Sequence, residues 1–238
     1  MTTAVISARM GLTRKTALIA GGLYLTTFVS IPTLTLYAPA HDRGYITGPG
    51  PDAGVMWGGV LEMIVAFACI GTAVVLYPVV KRQNQAVALA FVAARILEAA
   101  TIVAGVASLL TIVSLRQAGA GADAVVTGQA LAALYDRFFL LGQSLIPAAN
   151  AVLLGSLLYR SRLVPRILPV LGFIGAPLLL AATIATMLGL IDRVSALSGI
   201  AALPIALWEF SLGVWLLIKG LKPAPITTGT PLRAMRSR

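Results

Sequence analysis

The chain alternates long apolar stretches with short polar ones, and this pattern predicts its architecture. The apolar stretches lie near residues 16–37, 54–80, 86–113, 138–159, 167–190 and 198–218. Each has at least the ~20 residues that an α-helix needs to cross about 30 Å of hydrocarbon. Alternating segments of about 10 residues, which build transmembrane β-barrels, do not occur. The pattern therefore predicts an all-α, polytopic membrane helix bundle with six transmembrane helices.

The composition agrees with a chain that lies almost entirely in a membrane. Hydrophobic residues make up 58% of the 238 residues, charged residues make up 11%, and the mean hydropathy is +0.93. Soluble domains carry about 25% charged residues. We therefore expect a cytoplasmic N-terminal segment at 1–15, a six-helix transmembrane domain at 16–220 and a basic flexible cytoplasmic tail at 221–238.

The basic residues, which give a formal net charge of +10, are divided unequally between the two sides of the predicted bundle. Thirteen lie before the first span, after the sixth, or in the connections at 81–85 and 160–166, whereas four lie on the opposite side with all five aspartates. The positive-inside rule then predicts that both termini are cytoplasmic. The expected partners are the lipid bilayer and anionic lipid at the cytoplasmic face, and not nucleic acid. At the opposite rim, Tyr135-Asp136-Arg137 are expected to form an interfacial anchor and a surface ion pair.

Charged residues interrupt the apolar stretches at four positions, Glu62, Arg95, Glu98 and Glu209. Charges at bilayer depth cost free energy, so they usually face the bundle interior and mark a site, a pathway or an internal lock. With a rise of about 1.5 Å per residue, these four positions and Asn150 fall near the same depth. We therefore predict that the five side chains form one layer near the midplane.

The charges of this predicted layer do not balance. Arg95 can contact Glu98 three residues later and stays protonated, but it cannot neutralise three carboxylates. A protonated glutamate, a bound cation or basic ligand, or water in a cavity would resolve the excess. In one interpretation the layer is the ligand-binding or proton-binding site of a protein that binds or transports a small molecule, alone or linked to protons. Trp208, beside Glu209, then either packs in the core or forms an aromatic wall of the site. In the alternative, the charges are a structural lock within a membrane regulatory or scaffold protein.

The sequence offers little support for catalysis. His41 is the single histidine and Cys69 the single cysteine, so neither a Ser–His or Cys–His pair nor a cluster of metal ligands is expected within the spans. Paired carboxylates can still do acid–base work, which makes an intramembrane enzyme the third interpretation. The sequence leaves any cofactor unknown.

Prolines interrupt four of the predicted spans, at Pro32, Pro147, Pro177 and Pro204. Such prolines either shape the bundle or form a hinge or a broken binding helix. Small residues at four-residue spacing, as in Ala151 with Gly155, permit close helix packing. Such packing within one chain or between two copies is compatible with a homo-oligomer.

Several short segments resemble one known family. They are RKTA at 14–17, GGLY at 21–24, ARILE at 94–98, LYRSRLVPR at 158–166 and LWE at 207–209. Together they resemble the bacterial membrane family called domain of unknown function 4386, over roughly residues 14–222. The resemblance implies a six-span protein of a bacterial cytoplasmic membrane, and it implies no activity and no functional residues.

Overall fold

The computed structural model describes the backbone of residues 2–222 and the side chains of residues 13–222. This part of the chain is helical and has no β-strand, which confirms the all-α prediction. The α-helices are α1 (Thr2–Thr26), α2 (Thr33–Leu36), α3 (Asp52–Val80), α4 (Gln85–Gln117), α5 (Val125–Phe139), α6 (Ile146–Ser161), α7 (Ile167–Met187) and α8 (Ala196–Ile218). Apart from residues 221 and 222, the predicted tail lies outside the described residues.

Within the described residues, six helical segments are long and apolar enough to cross a membrane, as predicted. The spans are Thr13–Leu36, Asp52–Val80, Gln85–Gln117, Ala122–Ser161, Ile167–Met187 and Ala196–Ile218. Because their number is even, the first span begins and the sixth span ends at the same end of the bundle. α1 begins at Thr2, so the predicted N-terminal segment at 1–15 is helical from residue 2 and continuous with the first span.

The fourth span departs most from its predicted bounds of 138–159, because it begins at Ala122. α5 continues into α6 through a π-helix at Leu140–Leu145, and Pro147 follows at the start of α6. Proline has no N–H to donate to the preceding turn and would interrupt an ordinary α-helix. A π-helical insertion changes the hydrogen-bond spacing locally and lets the helix continue.

The six spans pack in a closed ring. Each span contacts the next one in the chain, and α8 of the sixth span returns to contact α1 of the first. Every span therefore turns one face toward a common interior. Among the described residues, Glu62, Arg95, Glu98 and Asn150 are buried within this ring.

The two ends of the bundle are closed to different degrees. We call the end with residues 81–84, 162–166 and 219–222 the basic end, and the end with residues 37–51, 118–124 and 188–195 the long-loop end. Toward the basic end the interior is filled by a large apolar cluster that includes Leu76, Phe91, Leu158 and Leu216. A smaller cluster, which includes Tyr37, Val55, Ile112 and Tyr135, lies toward the long-loop end.

Glycine allows a close backbone contact between two spans of the ring, α1 and α8. A Cβ atom on Gly21 would lie 2.8 Å from the Gly213 carbonyl oxygen and 2.9 Å from the Leu217 amide nitrogen. Both are backbone atoms, which cannot move without shifting the helix. Lipid tails are as apolar as leucine, so close packing of this kind holds membrane helices together.

We expect Gly21→Ala to lower the free energy of unfolding by about 1–3 kcal/mol, the usual cost of overpacking. The adjacent Gly22→Ala is the matched control, because a Cβ there meets no atom within 4 Å. Unfolding of both variants in detergent, followed by SDS titration, gives the comparison. Equal stability of the two variants would contradict this account of the α1–α8 contact.

Candidate functional site

Arg95 of α4 lies in the centre of the bundle and is 1% exposed. Its Nη1 donates to Glu98 Oε2 at 3.0 Å, one turn along the same helix. Its Nη2 donates to Glu209 Oε1 of α8 at 2.9 Å. The second ion pair connects the third span to the sixth across the interior of the ring.

Three other spans contact Arg95 or Glu98. Asn150 of α6 donates from Nδ2 to Glu98 Oε2 at 2.7 Å. Arg95 Nη1 also lies 3.6 Å from Cys69 Sγ of α3, and its guanidinium carbon lies 5.2 Å from the centre of the Tyr24 ring of α1. We call Arg95, Glu98, Asn150 and Glu209 the central network.

Glu62 lies outside the central network, so the structure divides the single predicted layer into two. Its Oε1 accepts hydrogen bonds from the Tyr135 hydroxyl at 2.9 Å and from Gln143 Nε2 at 3.5 Å. The α3 residue that contacts Arg95 is Cys69. Cys69 is seven residues farther along the helix than Glu62, which corresponds to about 10 Å. Depth estimates from the ends of separate spans were too coarse to detect this offset.

A cavity of about 270 Å³ lies beside the central network, and all six spans line it. Its charged lining consists of Arg95, Glu98 and Glu209. The Glu209 side chain is 16% exposed, compared with 1% for Arg95 and 7% for Glu98. Glu209 is therefore the most exposed of the three charged side chains that line the cavity.

Two polar atoms of the central network have no hydrogen-bond partner among the described residues. They are the donor Arg95 Nε and the acceptor Asn150 Oδ1, and both are buried. An unsatisfied buried polar group costs about 1–3 kcal/mol. The central network is thus connected but not fully paired.

The aromatic lining of the cavity differs from the prediction. Trp208 is buried in the large apolar cluster and packs on α7, where a Cβ on Gly172 would lie 3.3 Å from the indole ring. Trp208 is not among the residues that line the cavity, whereas Phe28 and Phe139 are. The aromatic side chains of the lining are therefore phenylalanines of the first and fourth spans, and Trp208 packs in the apolar cluster instead.

Two further cavities adjoin the first toward the long-loop end. A cavity of about 460 Å³ shares the lining residues Phe139, Ser144, Leu179 and Ala202 with the central one. A third, of about 340 Å³, shares Leu34, Arg193 and Val194 with the second and reaches His41. Adjoining cavities therefore extend from the central network to the connections at the long-loop end.

Charged or titratable residues lie at the third cavity, of about 340 Å³. Asp136 Oδ1 accepts from His41 Nε2 at 3.1 Å and from Arg193 Nη2 at 2.8 Å, so Asp136 does not form the surface pair that was predicted. His41 Nδ1 lies 2.9 Å from the Tyr37 carbonyl oxygen. Both ring nitrogens thus face acceptors, and only the imidazolium form donates from both. The hydrogen bond to Asp136 raises the pKa of His41, although partial burial opposes the increase.

Two residues that contact Glu62, Tyr135 and Gln143, were not predicted to belong to a site. Tyr135 was predicted as an interfacial anchor, yet it is 3% exposed and bonds Glu62. Gln143 lies in the π-helix, contacts Glu62 and also lines the central cavity. A π-helix shifts which residues of the fourth span face the interior, so regular helical spacing does not identify Gln143.

The sequence of this chain identifies its family. The sequence model of a family described as a domain of unknown function, DUF4386, matches residues 19–220. The chain belongs to the DUF4386 family. No curated protein and no solved structure matches the chain. The matched DUF4386 region contains the whole central network and Glu62, and the family description assigns no activity to them.

The ion pair between His41 and Asp136 predicts a pH-dependent stability. The folded state binds the His41 proton more tightly than the unfolded state, because the pKa of His41 is raised. The ion pair therefore stabilises the fold fully below the ordinary histidine pKa of about 6.5, and the stabilisation is lost as the pH rises through the raised value.

We expect the difference in melting temperature between the parent and His41→Gln to be largest at acidic pH and to decline above about pH 6.5. Melting curves in detergent across a pH series measure it. A difference that is constant with pH would show that His41 stabilises the protein only by packing.

Proposed function

We propose that this protein binds a small organic cation in the cavity beside the central network and carries it across the membrane. The observation that supports this proposal most directly is a cavity, at the centre of six spans, whose charged lining is one arginine and two glutamates. With all three ionised, the net charge of this lining is minus one. A negative site in a low-dielectric interior favours a cation.

The remaining lining supports an organic cation. Phe28 and Phe139 line the cavity, and aromatic rings attract ammonium groups, although the ring of Phe139 already contacts the Arg193 guanidinium. Apolar side chains such as Ile102 and Ile205 also line the cavity and suit a hydrocarbon portion of the solute. A volume of about 270 Å³ lies just below the range of about 300–1,000 Å³ for drug-sized ligands, so the solute is small.

The helix irregularities of the bundle support a change of access to the cavity. The 3-10 turn at Thr27–Ser30, the π-helix at Leu140–Leu145 and the segments beside Pro177 and Pro204 all contribute lining residues. Secondary transporters commonly form midplane sites from interrupted helices of this kind. The apolar cluster toward the basic end supports a state that is closed on that side and accessible from the long-loop end.

The distribution of charge supports an orientation. We infer that the basic end, with both termini, faces the cytoplasm of a bacterial cell and that the long-loop end faces outward. Lys81, Arg82 and Lys219 at the basic end would then contact anionic lipid headgroups. In this orientation the solute enters the cavity from outside.

The alternative function is that of a membrane regulatory or scaffold protein in which the central network only locks the helices. The contacts of Arg95 and Glu98 with four other spans favour this alternative, because such contacts specify packing. The two functions differ in what they expect of Glu209. A lock needs its hydrogen bond to Arg95, whereas a cation site needs its negative charge.

We expect Glu209→Gln to fold and to lose cation binding. The amide oxygen can still accept from Arg95, which keeps its ion pair with Glu98, but the net charge of the lining becomes zero. In a thermal-shift screen of the purified protein in lipid nanodiscs, small organic amines should raise the melting temperature of the parent, and their neutral isosteres should not. The stabilisation by amines should disappear in Glu209→Gln.

The matched control is Asp123→Asn, which removes an exposed carboxylate at the long-loop end. It should respond to amines as the parent does. If no amine stabilises the parent, the cation site is rejected. The lock is then supported if Glu209→Ala, which removes the acceptor for Arg95, unfolds at a markedly lower temperature than Glu209→Gln, which keeps it.

We also expect Ser144 to be accessible from the outside of the cell, because it lines both the central cavity and its outer neighbour. Ser144→Cys, made in a Cys69→Ala background, should react in intact cells with a membrane-impermeant thiol reagent. Leu154→Cys in the same background is the control, because Leu154 is 1% exposed in the apolar cluster toward the basic end. Labelling of Ser144→Cys only from the cytoplasmic side would contradict the proposed orientation.

A further inference from the structure

Glu62 is a buried carboxyl group that the proposed cation site does not use. It is 1% exposed, and no basic side chain in the described part of the chain forms an ion pair with it. Its Oε1 accepts two hydrogen bonds, but its Oε2 has no partner among the described residues. A carboxylate in such a place lacks the compensation that buried charges normally have.

A second buried oxygen beside Glu62 is also without a partner. The Tyr37 hydroxyl is buried and makes no hydrogen bond with the described residues. Its ring occupies the place where a Cβ on Gly58, one turn before Glu62, would lie. The Tyr37 ring packs edge-to-face on Tyr135 at 5.2 Å, and Tyr135 donates to Glu62. Two tyrosines therefore lie near the carboxyl group, and one of them has a hydroxyl, able to donate or to accept, without a partner among the described residues.

We propose that Glu62 is a reversible proton-binding site that exchanges its proton with the long-loop end. In the protonated state, Oε2–H donates toward the Tyr37 hydroxyl, so that both orphaned oxygens gain a partner and no net charge is buried. In the ionised state, the Tyr135 hydroxyl and Gln143 stabilise the carboxylate through Oε1. The ligand is a proton, and the reaction is its transfer to and from one carboxylate oxygen.

The surroundings of Glu62 provide a route for exchange. The cavity of about 340 Å³ is lined by both tyrosines and by His41 and Arg193, next to which lies Asp136. This volume accommodates water beside the tyrosine pair. The titratable or charged groups on this side are thus His41, Asp136, Arg193 and the two tyrosines.

The remaining groups near Glu62 belong to α4 and to the lining of the central cavity. α4 presents Val106 and Leu110 to Gly59, which precedes Glu62 by three residues on α3, and both are apolar. On the side of the central cavity Gln143 intervenes, and beyond it Arg95, Glu98 and Glu209 line that cavity. Gln143 therefore connects the proton site to the cation site, because it both contacts Glu62 and lines the central cavity.

This contact predicts coupling, an extension that rests on the proposed function. Ionised Glu62 is a stronger acceptor and holds the Gln143 amide, whereas protonated Glu62 is a weaker acceptor and releases it toward the cavity. Protonation of Glu62 should therefore change the affinity of the cavity for a cation. The proton site itself does not depend on whether the cavity binds any solute.

Infrared difference spectroscopy of the ligand-free protein in lipid tests the proton site directly. We expect a carbonyl band of a protonated carboxyl group that shifts in D₂O, loses intensity as the pH rises and is absent from Glu62→Gln. Glu62→Gln should fold, because glutamine is an isostere of the neutral acid. Glu209→Gln should keep the band. If the parent has no Glu62-dependent band, or has one that is constant at every pH at which the protein stays folded, the proposal is overturned.

Tyr135→Phe keeps Glu62 and provides a second test. It removes a donor to Oε1, so ionisation of Glu62 becomes harder, and the midpoint of the infrared titration should rise by about one pH unit, a tenfold gain in proton affinity. An unchanged or lower midpoint would overturn the assignment of Tyr135 as the donor that stabilises the ionised state.

Coupling is tested by the pH dependence of amine affinity. In the parent, the Kd of a stabilising amine should change with pH around the midpoint of the Glu62 infrared titration. In Glu62→Gln, the Kd should not change in that pH range. Amine binding with the same pH profile in both proteins would reject the coupling but not the cation site. A titrating Glu62 band with no amine binding would support the proton site and reject the proposed function.

Discussion

A guanidinium group can be buried in a membrane-spanning bundle only where acceptors converge on it, and Arg95 imposes this constraint on the fold. Its ion pairs reach along α4 to Glu98 and across the interior to Glu209 on α8. Asn150 joins α6 to the same carboxylate. Because lipid provides little apolar driving force between helices, such contacts contribute much of the register of the ring. The position of the cavity follows from this register, since the cavity lies beside these side chains.

The two buried acidic sites differ in how their charge is compensated. In the central network one arginine is shared by two glutamates, which leaves a net negative charge if all three are ionised. Glu62 has hydroxyl and amide donors instead of a cation. The first arrangement suits the attraction of a positive solute, and the second suits a group that gains and loses a proton. The π-helix places Gln143 between them, and π-helices often occur at functional sites.

The distribution of packing and of helix irregularity is asymmetric along the membrane axis. Toward the basic end, large apolar side chains fill the ring, and the close contact of Gly21 with the backbone of α8 tightens it. Toward the long-loop end, the apolar cluster is smaller, and two cavities adjoin the central one there. This asymmetry between a well-packed half and an irregular half is what supports the proposed access to the cavity from one side.

The sequence by itself determined the class of fold, the number of spans and the residues whose burial needs an explanation. It could do so because the cost of placing polar groups in hydrocarbon is large and depends on composition alone. Only the tertiary structure decided that Arg95 pairs with Glu98 and Glu209 while Glu62 pairs with Tyr135. That choice depends on helix rotation and on relative axial offset, and the π-helix alters both within the fourth span. Away from the charged positions, hydropathy contains little information about either quantity, because lipid-facing and interior-facing side chains of these spans are both largely apolar.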